Sequence, residues 1–96
     1  MADTTVTRNE NESRYDVHVD GELAGFALYE IDGDRAAFTH TEIFETYQGG
    51  GIAGTLAGEA LADTASRGLT IVPVCPYIAR YLDRHEVEGA TVAPPR

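Results

Sequence analysis

Lysine and tryptophan are absent from the 96 residues, and cysteine occurs once, as Cys75. A single cysteine excludes an internal disulfide and is typical of a reducing compartment, so we expect a cytoplasmic protein. No apolar run approaches the roughly 20 residues that a transmembrane helix needs. Residues 1–14 are polar. The sequence therefore predicts neither a membrane anchor nor a secretory signal.

Positive charge is also scarce. Seven basic residues, all of them arginines, face sixteen acidic ones, which leaves a formal net charge of −9. Such a field repels phosphate backbones and disfavours nucleic acid as a partner. Two interpretations of the acidic surface stay open: it keeps the protein soluble, or it attracts a cationic substrate such as an amine.

The first half of the chain predicts β structure. Polar and apolar residues alternate over 15–19, which is typical of a half-buried strand. The turn signal Asp20-Gly21 leads into a second strand over 22–31, and a third follows over 35–44. A further short strand fits residues 4–8. Apolar residues on both faces of the later strands predict helices on each side of the sheet.

The second half predicts a helix over 51–67, a strand over 69–75 and a helix over 77–85 opened by Pro76. The fold class is therefore α+β: an antiparallel meander followed by helix, strand and helix, with a β-α-β crossover. Pro73 removes a hydrogen-bond donor from its strand. It therefore predicts an edge strand or one that parts from its neighbour.

The length allows one domain over residues 1–96, with flexible ends expected at 1–12 and 88–96. Inside the first helix, Gly54 and Gly58 each cost about 1 kcal/mol relative to alanine. Both lie on one face, which predicts that the sheet or a ligand packs closely there.

A glycine-rich segment over 48–55 lies between a strand and a helix. Its backbone N–H groups and the helix N-terminus can hold an anion such as a pyrophosphate. The spacing Gly49-x-Gly51-x-x-Gly54 also matches the dinucleotide fingerprint, but that motif requires an acid at the end of the next strand, where this chain has Cys75. A nucleotide-triphosphate loop requires the absent lysine. A tight strand–helix connection without a ligand is the remaining alternative.

The pattern Gln48-x-x-Gly51-x-Ala53 resembles the GNAT superfamily of acetyl-coenzyme A-dependent N-acetyltransferases, most closely its small single-domain branch. The resemblance covers roughly residues 13–87 and implies a truncated GNAT-like fold. Relatives continue from the last histidine into Pro-Glu-Tyr, whereas this chain continues as Glu86-Val87. The resemblance rests on three segments: Tyr47-Gln48-Gly49-Gly50-Gly51-Ile52-Ala53, Pro73-Val74-Cys75-Pro76-Tyr77-Ile78 and Tyr81-Leu82-Asp83-Arg84-His85.

The resemblance implies acetyl-CoA as a cosubstrate, bound where two strands diverge. Its pantetheine arm pairs with the first of these strands, and its pyrophosphate caps the following helix. No metal is expected, because the histidines and the cysteine lack ligand spacing. The implied cofactor-binding residues are Ile43, Phe44, Gln48, Gly49, Gly50, Gly51, Ile52, Ala53, Gly54, Pro76 and Tyr77.

Four residues are candidates for catalysis: Cys75, Glu42, His40 and Tyr81. Glu42 is a candidate general base, with an ordinary exposed carboxylate as the alternative interpretation, and His40 is a second candidate base, although a lone strand histidine is more often structural. Cys75 is a nucleophile, a proton relay or a small buried hydrophobe. Tyr81 is a candidate acid for the departing thiolate, with Tyr77 as a substitute, or a packing aromatic. Direct transfer and an acyl-cysteine both stay open.

The predicted function is transfer of an acetyl group from acetyl-CoA to an amine of a small molecule or a protein. The acceptor is expected to be cationic when free. The alternative is a non-catalytic acyl-CoA-binding or protein-interaction module with the same fold.

Overall fold

The strand and turn signals produce one six-stranded mixed sheet with two helices. The computed structural model describes residues 3–94. The strands lie in chain order, the first four antiparallel and the last two added in parallel. The α+β fold class is confirmed. The elements are β1 (Thr4–Asn9), β2 (Arg14–Val19), β3 (Glu22–Asp32), β4 (Arg35–Ile43), α1 (Ile52–Ser66), β5 (Thr70–Pro73), α2 (Pro76–Arg84) and β6 (Thr91–Val92).

Two-residue turns set the register of the meander. Asp20 and Gly21 both have positive φ, 51° and 87°, so the backbone twist of the turn matches that of the flanking strands. Val19 therefore lies opposite Glu22. Single β-bulges interrupt both the β2–β3 and the β3–β4 pairings.

Each end of the chain contributes a strand. All six residues of β1 pair with β2, and the short β6 pairs through Thr91 and Val92 with the outer side of β5. The sequence predicted flexible ends at 1–12 and 88–96, and the structure places β1 and β6 within these ranges. Residues 1–2 and 95–96 lie outside the described part, and flexibility of the ends stays a prediction.

Both helices cover the same face of the sheet. Side chains of this face, such as Phe38 of β4, share one buried core with Leu56 and Leu61 of α1 and Ile78 of α2. The predicted helices on each side are therefore wrong for residues 3–94. Residues 3–94 make two β-α-β crossovers, through α1 between β4 and β5 and through α2 between β5 and β6, where the sequence predicted one. The two helices also contact each other.

The opposite face, here called the open face, carries the apolar residues that suggested a second helix layer. They are half-buried by neighbours on the same face. The Arg14 guanidinium carbon lies 4.9 Å from the centre of the Phe26 ring, and Phe44 meets that ring edge-on at 6.1 Å. Aromatic and cation–π contacts thus shield these rings in place of a helix. The open face comprises Arg14, Asp16, Phe26, Leu28, His40, Glu42 and Phe44.

The two glycines inside α1 accommodate tyrosines of α2. A Cβ on Gly58 would lie 2.8 Å from the Tyr81 hydroxyl, and one on Gly54 would lie 3.9 Å from the Tyr77 hydroxyl. The sequence predicted the sheet or a ligand at this face of the helix. Close approach of α2 is the reason at Gly58, while Gly54 leaves ordinary contact distance.

A carboxylate network joins α1 to β1 and β2. Asp63 accepts hydrogen bonds of 2.6 Å from the Arg8 guanidinium and from the Tyr15 hydroxyl. Burial raises the pKa of Asp63, but the hydrogen bonds from Tyr15 and Arg8 outweigh it and hold the pKa below its ordinary value of 3.8. The charged form therefore stabilises the fold above about pH 3.8, and this contribution is lost as the pH falls through the folded-state pKa.

Asp63→Asn should lower the free energy of unfolding at pH 7 by about 1–2 kcal/mol, because two charge-assisted hydrogen bonds weaken at a partly exposed site. Urea denaturation measures this difference, which should shrink at pH 3. Asp83→Asn, at an exposed position of α2, should leave stability unchanged. If Asp63→Asn lowered the free energy of unfolding equally at both pH values, the role of the Asp63 charge would be contradicted.

Candidate functional site

β4 and β5 separate partway along the sheet. Their parallel pairing ends at Phe38 and Pro73, while β4 continues to Ile43. The Thr70 N–H points to β4 and bonds the Asp34 carbonyl, so the later donors on this side belong to Val72 and Val74, while Pro73 faces the other side of β5. The Val74 N–H instead bonds the Val72 carbonyl at 3.0 Å, which turns the chain away from β4. β5 is flanked by β6 on its other side. Of the two predictions for Pro73, the strand that parts from its neighbour is confirmed. β5 is not an edge strand at Thr70 and Ile71, but β6 does not extend as far as Pro73.

The Cys75 sulfur lies in the gap that this separation creates. The Cys75 N–H still bonds the Phe38 carbonyl at 2.8 Å, and its Sγ lies 3.6 Å from Thr41 Oγ1 on β4. The side chain is buried, at 5% exposure, and Cys75 is the N-cap of α2. The thiol is therefore fixed between the end of one strand, the side of another and the start of a helix.

Polar groups around this sulfur favour the thiolate. Burial raises the pKa of the Cys75 thiol, and this is the largest single influence. Hydrogen bonds from the Ile78 N–H, the Thr41 hydroxyl and the Tyr77 N–H together outweigh it, so the pKa falls below its ordinary value of 9.0. A helix N-terminus lowers cysteine pKa values in this way.

The glycine-rich loop forms an open cradle at the start of α1. Gly49 and Gly51 have φ of 86° and 78°, and a Cβ on either would meet no atom within 4 Å. Gly51 is the N-cap and has no side chain to satisfy the first-turn donors. The first α-helical backbone bond runs from the Thr55 N–H to the Gly51 carbonyl, 3.2 Å away. The preceding N–H groups, at 52–54, are directed out of the helix and suit an anion.

A cavity of about 320 Å³ lies between this cradle, the end of β4 and the start of α2. It brings together eight of the eleven predicted cofactor-binding residues. Phe44, Gly50 and Pro76 do not line it. Its lining residues are Ile43, Tyr47, Gln48, Gly49, Gly51, Ile52, Ala53, Gly54 and Tyr77.

Two side chains brace the cavity wall. The Gln48 amide donates a 3.0 Å hydrogen bond to the Ile43 carbonyl, which ties the loop back to β4. The Tyr47 hydroxyl donates a 2.9 Å hydrogen bond to Glu22. Sequence reasoning did not assign Tyr47, although an aromatic residue directly before the loop was the available signal. It also missed Thr41, which nothing in the sequence connects to Cys75.

His40 and Glu42 form a pair on the open face. His40 Nε2 lies 3.4 Å from a Glu42 carboxylate oxygen, and the two side chains are 56% and 50% exposed. Thr41 lies between them in β4 and points to the opposite face, because side chains alternate along a strand. The two candidate bases and the Cys75 sulfur therefore approach the gap from opposite sides of the sheet.

The two candidate acids are separated along α2. Tyr77 lines the cavity, and burial raises its pKa, so its hydroxyl stays protonated at neutral pH. Tyr81 lies one turn further on, stacked on His85 with ring centres 4.2 Å apart and pressed against Gly58. It does not line the cavity. The geometry thus favours Tyr77, the substitute, over Tyr81.

Residues 3–94 contain neither a metal-binding cluster nor a helix that could span a membrane. No three histidine, cysteine or carboxylate side chains gather in a way that would hold a metal ion. Neither helix has the length and apolar character needed to cross a membrane.

Parallel strands that part beside a glycine-rich helix start are the arrangement that the resemblance to an acyltransferase superfamily implies. The chain matches the sequence model of a family described as GCN5-related N-acetyl-transferase over residues 14–92. No curated protein matches the chain. Because the match spans most of the sequence, the chain belongs to the GCN5-related N-acetyltransferase family, whose chemistry is acyl transfer.

Alkylation of Cys75 by iodoacetamide should follow a pH profile with a midpoint below 9.0 in the folded protein, because hydrogen bonds favour the thiolate. Thr41→Val removes the hydroxyl and should raise the midpoint. Thr39→Val, which keeps the Thr41 hydroxyl, is the matched control and should leave the midpoint unchanged. A folded-state midpoint at or above that of the urea-unfolded chain would show that burial dominates.

Proposed function

We propose that this protein is an acetyl-CoA-dependent N-acetyltransferase that acts on an amine. The proposal rests on the fact that three features adjoin one another: the gap between β4 and β5, the cavity of about 320 Å³ and the glycine cradle. When bound, acetyl-CoA would supply the activated acetyl thioester. The residues present fit such a ligand, since the cradle offers backbone N–H donors and open space where side chains would otherwise project.

The free edge of β4 suits an extended amide-containing chain. The Phe44 N–H bonds the Ala24 carbonyl of β3 at 2.8 Å. Successive backbone groups alternate in direction, so those of Thr41 and Ile43 point into the gap. The Phe44 N–H is therefore occupied by β3, and Phe44 lies outside the cavity. We propose that Ile43, not Phe44, pairs with the pantetheine arm.

Acetyl transfer requires a proton acceptor and a proton donor. The amine nitrogen forms a bond to the acetyl carbon and loses a proton, while the carbon–sulfur bond breaks and the thiolate gains one. We assign the base to Glu42, assisted by its neighbour His40, because this pair borders the gap from the accessible face. Tyr77 is the proton donor, since it lines the cavity in its protonated form.

Cys75 serves in this proposal as a polar contact and proton relay beside the thioester. Its sulfur is confined by Thr41 and the start of α2, which suits a fixed relay better than a mobile nucleophile. Direct transfer is therefore the proposed route. An acyl-Cys75 would appear as a mass increase of the denatured protein after incubation with acetyl-CoA alone.

Binding of acyl-CoA without turnover is the second candidate function. It uses the same cradle and cavity. The observation that favours it is the position of the His40–Glu42 pair across the sheet from the Cys75 sulfur. Thiol release in the presence of amines distinguishes the two, and the net charge of −9 makes cationic amines the first to screen.

Gly51→Glu should abolish CoA binding, because the side chain would project into the cradle and place a negative charge where the pyrophosphate belongs. Gly68→Glu is the matched control: Gly68 follows the other end of α1, has φ of 75°, and a Cβ there also meets open space. Both variants carry the same backbone strain and charge. Isothermal titration should show that Gly51→Glu loses CoA binding while Gly68→Glu keeps it. Equal CoA affinity in the two variants would mean that CoA binds elsewhere.

Cys75→Ala should lower kcat about tenfold or more while leaving CoA affinity within about twofold, as expected for a group that acts in the transition state. Glu42→Gln should behave likewise, because an amide cannot accept the proton that the amine loses. Glu30→Gln, an exposed carboxylate on β3, is the control. Normal turnover in both site variants would contradict the roles assigned to Cys75 and Glu42.

A further inference from the structure

The arginines of this acidic chain differ in whether they form ion pairs. Arg8, Arg14 and Arg67 all form ion pairs with neighbouring carboxylates. Within residues 3–94, Arg80 and Arg84 form none. They lie four residues apart on α2, so their side chains share one side of the helix. Two guanidinium groups on one side of a helix with no carboxylate partner repel each other, and an anion bound between them would offset this repulsion.

The two arginines border a small cavity beside the cofactor cavity. Its volume is about 120 Å³, and it lies along the side of α2 that carries Tyr77 and Tyr81. Tyr77 lines both cavities, so they share one wall. The small cavity is lined by Tyr77, Arg80, Tyr81, Arg84 and His85.

The larger cavity has no basic side chain in its lining. Its cradle provides only neutral N–H donors, which suit the pyrophosphate of CoA. The third phosphate of CoA is a monoester on the 3′ position of the ribose and carries close to two negative charges at pH 7. A protein with a net charge of −9 must hold that group near local positive charge or repel it.

We propose that Arg80 and Arg84 bind the 3′-phosphate of CoA. The assignment rests on the proposed function and extends it to the nucleotide end of the cosubstrate. Arginine suits a phosphate monoester, because its planar guanidinium donates two parallel hydrogen bonds. The stacked rings of Tyr81 and His85, with centres 4.2 Å apart, form a flat wall next to this subsite.

The test compares CoA with 3′-dephospho-CoA by isothermal titration. The wild-type protein should bind CoA about tenfold to a hundredfold more tightly, as charge-assisted contacts of this kind predict. Arg84→Ala should reduce the ratio, and Arg80→Ala with Arg84→Ala should bring it close to one. Affinity for 3′-dephospho-CoA should stay unchanged in both variants, which also reports an intact fold.

Arg35→Ala is the matched control for charge. Arg35 is exposed, forms no ion pair within residues 3–94 and begins β4, at the opposite end of that strand from the cavity residue Ile43. Arg35→Ala changes the net charge as much as Arg84→Ala does. It should nevertheless leave the preference for CoA over 3′-dephospho-CoA unchanged.

Two results would overturn the inference. Either the wild-type protein binds CoA and 3′-dephospho-CoA equally, or the double variant keeps the wild-type preference. In both cases CoA binding itself, and with it the proposed function, would survive. Failure of both ligands to bind the wild-type protein would overturn the proposed function and this subsite together.

Discussion

The turn of the chain at Pro73 and Val74 is the constraint on which the site depends. Val74 would provide the next N–H for the ladder with β4, but that group bonds the Val72 carbonyl instead, and the chain turns away after pairing with Phe38. The free edge of β4, the position of Cys75 and the start of α2 all follow from this turn. Pro76 then begins α2 at once, where its fixed φ suits the first helical position. A gap in the sheet and a helix N-terminus are thus produced within four residues.

The sheet holds this gap open through a second constraint on its other side. A Cβ on Gly25 of β3 would lie 2.3 Å from the Glu42 carbonyl oxygen and 2.8 Å from an Ile43 side-chain carbon. Only glycine permits β3 to approach the end of β4 so closely. The end of β4 is therefore fixed by β3 on one side while its other edge stays free to pair with a ligand.

Local signals predicted much of the fold. Asp20-Gly21, the alternation in β2 and the position of Pro76 act within a few residues, so the sequence defines them well. The missing second helix layer depends instead on long-range packing, because Phe26 is shielded by Arg14 and Phe44 from elsewhere in the chain. The same limit applies to the site, where the sequence identified the glycine cradle but not the contact between Thr41 and Cys75.

Charge is distributed so that neutral backbone donors line the larger cavity while the acidic groups lie elsewhere. The central claim is that this cavity, bounded by the cradle and the end of β4, binds CoA. Amide chemical shifts of the ¹⁵N-labelled protein, followed during titration with CoA, test it most directly. We predict the largest changes at Ile43, 48–54 and Tyr77, with little change in the β1–β2 hairpin. Absent changes, or changes centred on that hairpin, would contradict it.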